Sequence, residues 1–248
     1  MGKVNLAILV VCTLIVLNQV AHASTKEYLS FEQTVLKSPE QHLNLTNKWE
    51  HTGEPADAEL FLSALKARAL FFAGHIERSK SEFSRYDAEL KVQQFTWGAG
   101  YWYLYRSFFA IEQGHLDDAK RLVKQARRAF THLKDSSMLV RVQAMEAIVA
   151  IWREEYSEAL KSVQAAHAYI MRNDISDVSK LAVLDGLTAY YSTLKYHRKA
   201  IEFATQANSL AVQSQNILDG LPIKYNLCMP LLRSKLVEKA RACYQELL

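Results

Sequence analysis

Beyond residue 24, apolar positions along this 248-residue chain recur every three or four residues and almost nowhere alternate. That spacing puts apolar side chains on one face of an α-helix, and its persistence predicts an all-α fold. Leu62, Leu65, Ala69 and Phe72 form one such stripe. A much longer period is superimposed on it. Small residues at Ser79, Ala119, Ala159, Ala200 and Ala240 are separated by 40, 40, 41 and 40 residues. Each follows another small residue by 12 places: Ala67, Ser107, Ala147, Thr188 and Cys228. A third, seven places further on, appears as Ala126, Ala166 and Ala207. Antiparallel helices joined by a tight turn approach closely only where side chains are small, so each set reads as one helical hairpin. Gly74 and Gly114 fall in the turn, where a left-handed conformation costs glycine little. A fixed period in this range marks stacked repeats.

The hairpins are expected over 57–87, 97–133, 137–172, 178–213 and from Leu221 to Leu248, together making one continuous core over 57–248. Trp97-Gly98-Ala99-Gly100, Lys134-Asp135-Ser136-Ser137, Asn173-Asp174 and Asp219-Gly220 read as connecting loops. The segment 24–56 predicts an irregular pair of short helices, with Ser38-Pro39-Glu40-Gln41 as a helix start and Thr52-Gly53-Glu54-Pro55 as a break. Pro230 lies within the fifth hairpin's first helix and is expected to kink it.

Two stretches resemble the tetratricopeptide repeat family in its long-helix variants. They are Glu112-Gln113-Gly114-His115-Leu116-Asp117-Asp118-Ala119 and Arg153-Glu154-Glu155-Tyr156-Ser157-Glu158-Ala159-Leu160. The resemblance covers 57–248, with three departures: a period nearer forty than about thirty-four, an early first-helix aromatic only at Tyr103, and degenerate first, fourth and fifth repeats. HEAT-type repeats share the longer period but lack this turn signature.

The resemblance implies a right-handed superhelical solenoid of stacked hairpins that binds rather than catalyses. In that family the first helix of each unit lines a concave groove. Carried onto this sequence, the ligand-facing positions are Phe61 and Arg68 in the first unit, and Tyr101, Leu104 and Phe108 in the second. Arg141 and Ile148 follow in the third, Asp185 in the fourth, and Tyr225 and Met229 in the fifth. The partner implied is a protein or peptide. Arg68 and Arg141 would hold its carboxylate terminus or acidic side chains by charge-assisted bonds. Replacing Arg141 and Tyr101 together with alanine should then weaken partner binding and leave the fold intact. Exported bacterial arrays of this kind also look like the sensory half of membrane signalling proteins, commonly diguanylate cyclases. The alternative reading is therefore a periplasmic ligand-sensing region of a longer protein.

The ends of the chain bear on that choice. Lys3, the apolar run Leu6 to Leu17 and Ala21-His22-Ala23 have the form of a secretory signal peptide over 1–23, which predicts an exported, periplasmic mature chain. Removing it takes away one Lys and no acid, so the net charge falls from +4 to +3. So mild a charge does not demand nucleic acid or anionic lipid as a partner, and with basic residues scattered and no nucleic-acid motif, neither nucleic acid nor membrane is expected as a partner. No later segment is apolar enough to span a membrane. The chain stops at Leu247-Leu248 without a polar capping helix, so a continuation or self-association through the last helix is expected.

Nothing in the sequence assembles a catalytic constellation. G-x-S-x-G, the Walker loop, H-E-x-x-H and C-x-x-C are all missing, so neither an enzyme nor a cofactor is expected. His75 and His115 occupy equivalent places in adjacent repeats, too far apart to share a metal. Asp117-Asp118 and Glu154-Glu155 sit where they complement a helix N-terminus. The aromatic run from Tyr101 to Phe109 reads mainly as packing between repeats, with Tyr101 and Phe108 as the candidates for ligand contact. Cys228 and Cys243 stand at the edge of disulfide reach, and buried free thiols are expected. Asn44-Leu45-Thr46 matches a glycosylation acceptor.

Overall fold

The computed structural model describes residues 27–37, 55–86 and 95–247. The expected signal peptide, the helix start at 38–41 and the Asn44-Leu45-Thr46 acceptor lie outside the described residues. Among those described, the chain is helical throughout, with no strand. Helix α1 covers 27–37. Five pairs follow: α2 (Pro55–Phe72) with α3 (Ile76–Ser84), α4 (Trp97–Glu112) with α5 (Leu116–His132), α6 (Ser136–Trp152) with α7 (Tyr156–Ile170), α8 (Asp177–Thr193) with α9 (His197–Gln213), and α10 (Ile217–Arg233) with α11 (Val237–Gln245). Each helix packs on the next in sequence order, and α2, α4, α6, α8 and α10 also pack one on another in that order. None of the described helices is long and apolar enough to cross a membrane.

The turns within pairs share one geometry. Gly74, Gly114, Glu154, Lys195 and Lys235 have φ of 82°, 76°, 61°, 64° and 60°. At Gly114 the following amide, His115 N–H, donates to the carbonyl of Ala110 at 2.8 Å, while Gly114 N–H donates to that of Ile111 at 2.9 Å. The same two-bond pattern closes the other four turns and satisfies carbonyls the helix end would otherwise leave unpaired. The paired small residues lie where the two helices meet. Ala67, Ser79, Ser107, Ala119, Ala147, Ala159, Thr188, Ala200, Cys228 and Ala240 are all buried. The hydroxyl of Ser79 donates to the carbonyl of Ala67 at 2.7 Å, which shows how near the helices come.

Three sequence expectations are corrected. Trp97-Gly98-Ala99-Gly100 is not a loop but the first turn of α4, capped by Thr96 Oγ1, which accepts from the N–H of Ala99. Its glycines serve close packing: a Cβ on Gly98 would stand 1.9 Å from the carbonyl oxygen of Asp57, and one on Gly100 2.8 Å from the ring of Phe130. Asp219-Gly220 likewise belongs to the first turn of α10, where Asn216 Oδ1 accepts from the N–H of Asp219 at 3.1 Å. Cys228 and Cys243 are joined as a disulfide rather than left as free thiols, with Cα atoms 5.5 Å apart. The two facing helices of the last pair bring Cys243 well inside the permitted separation. Helix α10 runs through both Pro222 and Pro230.

The aromatic run on α4 is largely core. Tyr101, Trp102, Tyr103 and Phe109 are buried, and Phe83 meets the rings of Trp102 and Phe109 edge-on at 5.5 Å and 4.7 Å. Edge-to-face contacts of this kind add to area burial.

Candidate functional site

Helices α2, α4, α6, α8 and α10 each turn a stripe of side chains spaced three or four residues apart toward a common centre. On α2 the stripe holds Arg68 and Phe72, and on α4 Leu104, Tyr105 and Phe108. On α6 it holds Arg141, Ala144, Met145 and Ile148; on α8, Val178, Leu181, Ala182 and Asp185. Asp219, Pro222, Ile223 and Asn226 complete it from α10. Together they line a partly enclosed chamber of about 200 Å³. Its walls are mostly hydrocarbon, and its polar groups gather toward Arg68, Arg141 and Asp219.

Helix α1 packs behind Arg68 and Arg141 and against Phe72 and Val178, all residues of the chamber wall. It carries Tyr28, Glu32 and Leu36 at four-residue spacing, one above another on a single face. Tyr28 hydroxyl donates to Asp57 Oδ2 at 2.9 Å and its ring stacks on Trp97 at 4.8 Å. Leu36 packs with Phe72, Val178 and Leu218. Between them Glu32, fully buried, enters a clasp of donors. Arg141 Nη1 reaches both its carboxylate oxygens, at 2.9 Å and 2.8 Å, Tyr101 hydroxyl donates to Oε1 at 2.8 Å, and Arg68 Nη1 donates to Oε1 at 3.2 Å.

The clasp extends to the far end of the fold. Arg68 Nη2 donates to Asp219 Oδ1, and Asn216 Nδ2 to Asp219 Oδ2 at 2.8 Å. Arg141 Nε donates to Ser179 Oγ at 3.0 Å. The guanidinium of Arg68 lies 4.6 Å from the ring centre of Tyr105, a cation–π contact. Burial works against the charge on Arg141, but Glu32 with Tyr105 and Tyr101 outweighs it and raises its affinity for the proton. Burial first, and then Glu32, pushes the Tyr101 hydroxyl well above its ordinary range, so it stays a donor. Arg141 is 3% exposed and its Nη2 has no hydrogen-bond partner among the described residues.

Of the ten positions expected to face a ligand, Arg68, Leu104, Phe108, Arg141, Ile148 and Asp185 line the chamber. Phe61 and Tyr101 are buried beneath α1 instead, their rings 4.9 Å apart. Tyr225 is 51% exposed, stands 6.2 Å from the ring of Tyr244 and lies outside the chamber, as does the partly buried Met229. Glu32 and Asp219 are not among the positions the sequence marks for the site. An acid on the apolar face Tyr28, Val35 and Leu36 was the available signal for Glu32. For Asp219 it was its place three residues after a capping asparagine. His75 and His115 are exposed at their turns, and no group of three or more His, Cys, Asp or Glu among the described residues could hold a metal. The arrangement can desolvate a compact molecule against hydrocarbon and offer it a few fixed polar atoms. No protein-family model matches this chain, and no curated protein shows significant similarity to it.

Proposed function

We propose that this chain is a recognition module, not an enzyme, and that it holds a compact, mostly apolar ligand in the chamber between its five first helices. In this reading the helix pairs form a tetratricopeptide-like, right-handed superhelical solenoid. The resemblance rests on the turn geometry and the buried small-residue pairs. The observation that carries the proposal is the chamber itself: about 200 Å³, concave, hydrocarbon-walled, with a few converging polar groups. Small-molecule sites have this composition, and drug-sized ligands occupy somewhat larger ones, roughly 300–1,000 Å³. The reading favours the ligand-sensing alternative over an extended peptide. A peptide laid along Phe61, Tyr101 and Arg141 would have to displace α1 and break the Glu32 clasp. Export to the periplasm is part of the proposal, supported by the Cys228–Cys243 disulfide, because such bonds persist in oxidising compartments.

The experiment is a thermal-shift screen of compact sugars, amino acids, alkyl compounds and short acidic peptides. It is run on the wild type and on Ile148→Trp, which fills the chamber. Hits should raise the wild-type melting temperature and lose that effect in Ile148→Trp. Hits that survive the substitution, acidic peptides above all, would return the function to an open groove.

A further inference from the structure

The charges around the chamber do not cancel. Arg68 is committed to Glu32 and Asp219, and Arg141 to Glu32. Two cations and two carboxylates balance. Asp185 is a third carboxylate on the same wall, and no cation pairs with it among the described residues; its hydrogen-bond partner is Asn226 Nδ2, at 2.8 Å. Burial, reinforced by the nearby charge of Asp219 and only partly offset by the Asn226 bond, holds its carboxyl above the usual range. A carboxylate facing hydrocarbon is costly unless it takes a proton or gains a cation. An anionic ligand finds no matching receptor here. The chamber's guanidiniums already serve internal carboxylates, and Arg141 Nη2, without a partner among the described residues, is enclosed by protein atoms.

We propose that the chamber binds a compact apolar ammonium compound, its cation on Asp185 and its hydrocarbon against Leu104, Phe108, Met145 and Ile148. The proposal rests on the chamber reading above. An ammonium supplies three donors at a point charge and suits a single carboxylate. The rings of Phe72 and Phe108 also stand on the chamber wall, and aromatic rings attract cations. The ammonium and a proton compete for Asp185, so binding weakens as pH falls through the raised pKa of that group. The other charged or titratable groups on the chamber are Asp219 from α10, Arg68 from α2, Arg141 from α6 and Tyr105 from α4; α7 and α9 contribute none of its lining.

Calorimetric titration with hexylammonium, 1-hexanol and hexanoate tests the assignment. At neutral pH the wild type should bind hexylammonium about ten-fold tighter than 1-hexanol, as one desolvated ion pair allows, and hexanoate weakest. Asp185→Asn, folded by circular dichroism, should bring hexylammonium down to the level of 1-hexanol and leave 1-hexanol unchanged. In the wild type the preference for the ammonium should shrink on acidification. Equal affinity for hexylammonium and 1-hexanol, or tighter binding of hexanoate, overturns the cation assignment and leaves the chamber standing. Binding of none of the three overturns both.

Discussion

At the scale of single residues, Glu32 has the largest consequence. Its carboxylate is fully buried and faces two guanidiniums, one of them 3% and the other 6% exposed. A buried ion cluster of this kind need not stabilise a fold relative to well-packed hydrocarbon, because desolvating each charge costs several kcal/mol. Removing one member is a different matter, since the remaining charges stay buried without compensation. Glu32→Ala should therefore destabilise the protein by about 3–5 kcal/mol. Glu32→Gln should cost less, because it keeps an acceptor for Tyr101. Urea denaturation of the two variants reads the difference, and a loss below about 1 kcal/mol for the alanine variant would mean the clasp is not formed in solution. The same reasoning revises the expectation attached to Arg141→Ala with Tyr101→Ala. Both side chains are buried against Glu32, so the double variant would lose stability before it could report on binding. Ile148→Trp on the open chamber wall is the cleaner probe.

At the scale of elements, the within-pair turns show what the repeat demands and how unevenly the sequence meets it. The five turns need a left-handed residue, and Gly74 and Gly114 supply it without strain. Glu154, Lys195 and Lys235 adopt the same conformation with a side chain attached. A left-handed non-glycine residue costs roughly 1–2 kcal/mol, part of which glycine gives back as unfolded-state entropy. Lys195→Gly should then stabilise by about 0.5–1 kcal/mol, seen as a higher urea midpoint with unchanged slope. Lys195 is exposed at its turn, so the substitution removes little packed surface. This level of structure was largely readable in the sequence. The 3.6 period gives helices, and the residues at 12-place spacing mark where helices touch, because contact geometry restricts side-chain size at those positions. What misled was glycine in two roles. Gly98 and Gly100 look like turn residues by composition, yet they are small because Asp57 and Phe130 lie against them. Neither partner is near in sequence, so local pattern could not distinguish packing from turning.

At the scale of the whole molecule, the chamber depends on contacts no repeat pattern encodes. The stripes that line it follow from helical spacing, and six of the positions transferred from the family resemblance lie on its wall. The residues that close it come from 109 and 151 places away, as Glu32 does to Arg141 and Asp219 to Arg68. An array of repeats that touch only their neighbours has stability that is roughly a sum of local terms, and a perturbation spreads no further than the adjoining unit. Here the first and fifth pairs also meet directly, through Arg68–Asp219, and Phe72 and Leu218 share one apolar cluster with Leu36 and Val178. Asp219→Ala tests that difference. It removes the carboxylate that α10 offers to α2 and leaves Arg68 with Glu32 as its charged partner. Hydrogen exchange should then rise in both α2 and α10, and stay unchanged in α5 and α7, which face away from the junction. An increase limited to α8, α9, α10 and α11 would mean that the chain behaves as a neighbour-only stack with its ends apart. Joint loosening of α2 and α10 would mean that the chamber is held shut from both ends of the chain, so a ligand gripping its wall would be felt by the first and last helix pairs together.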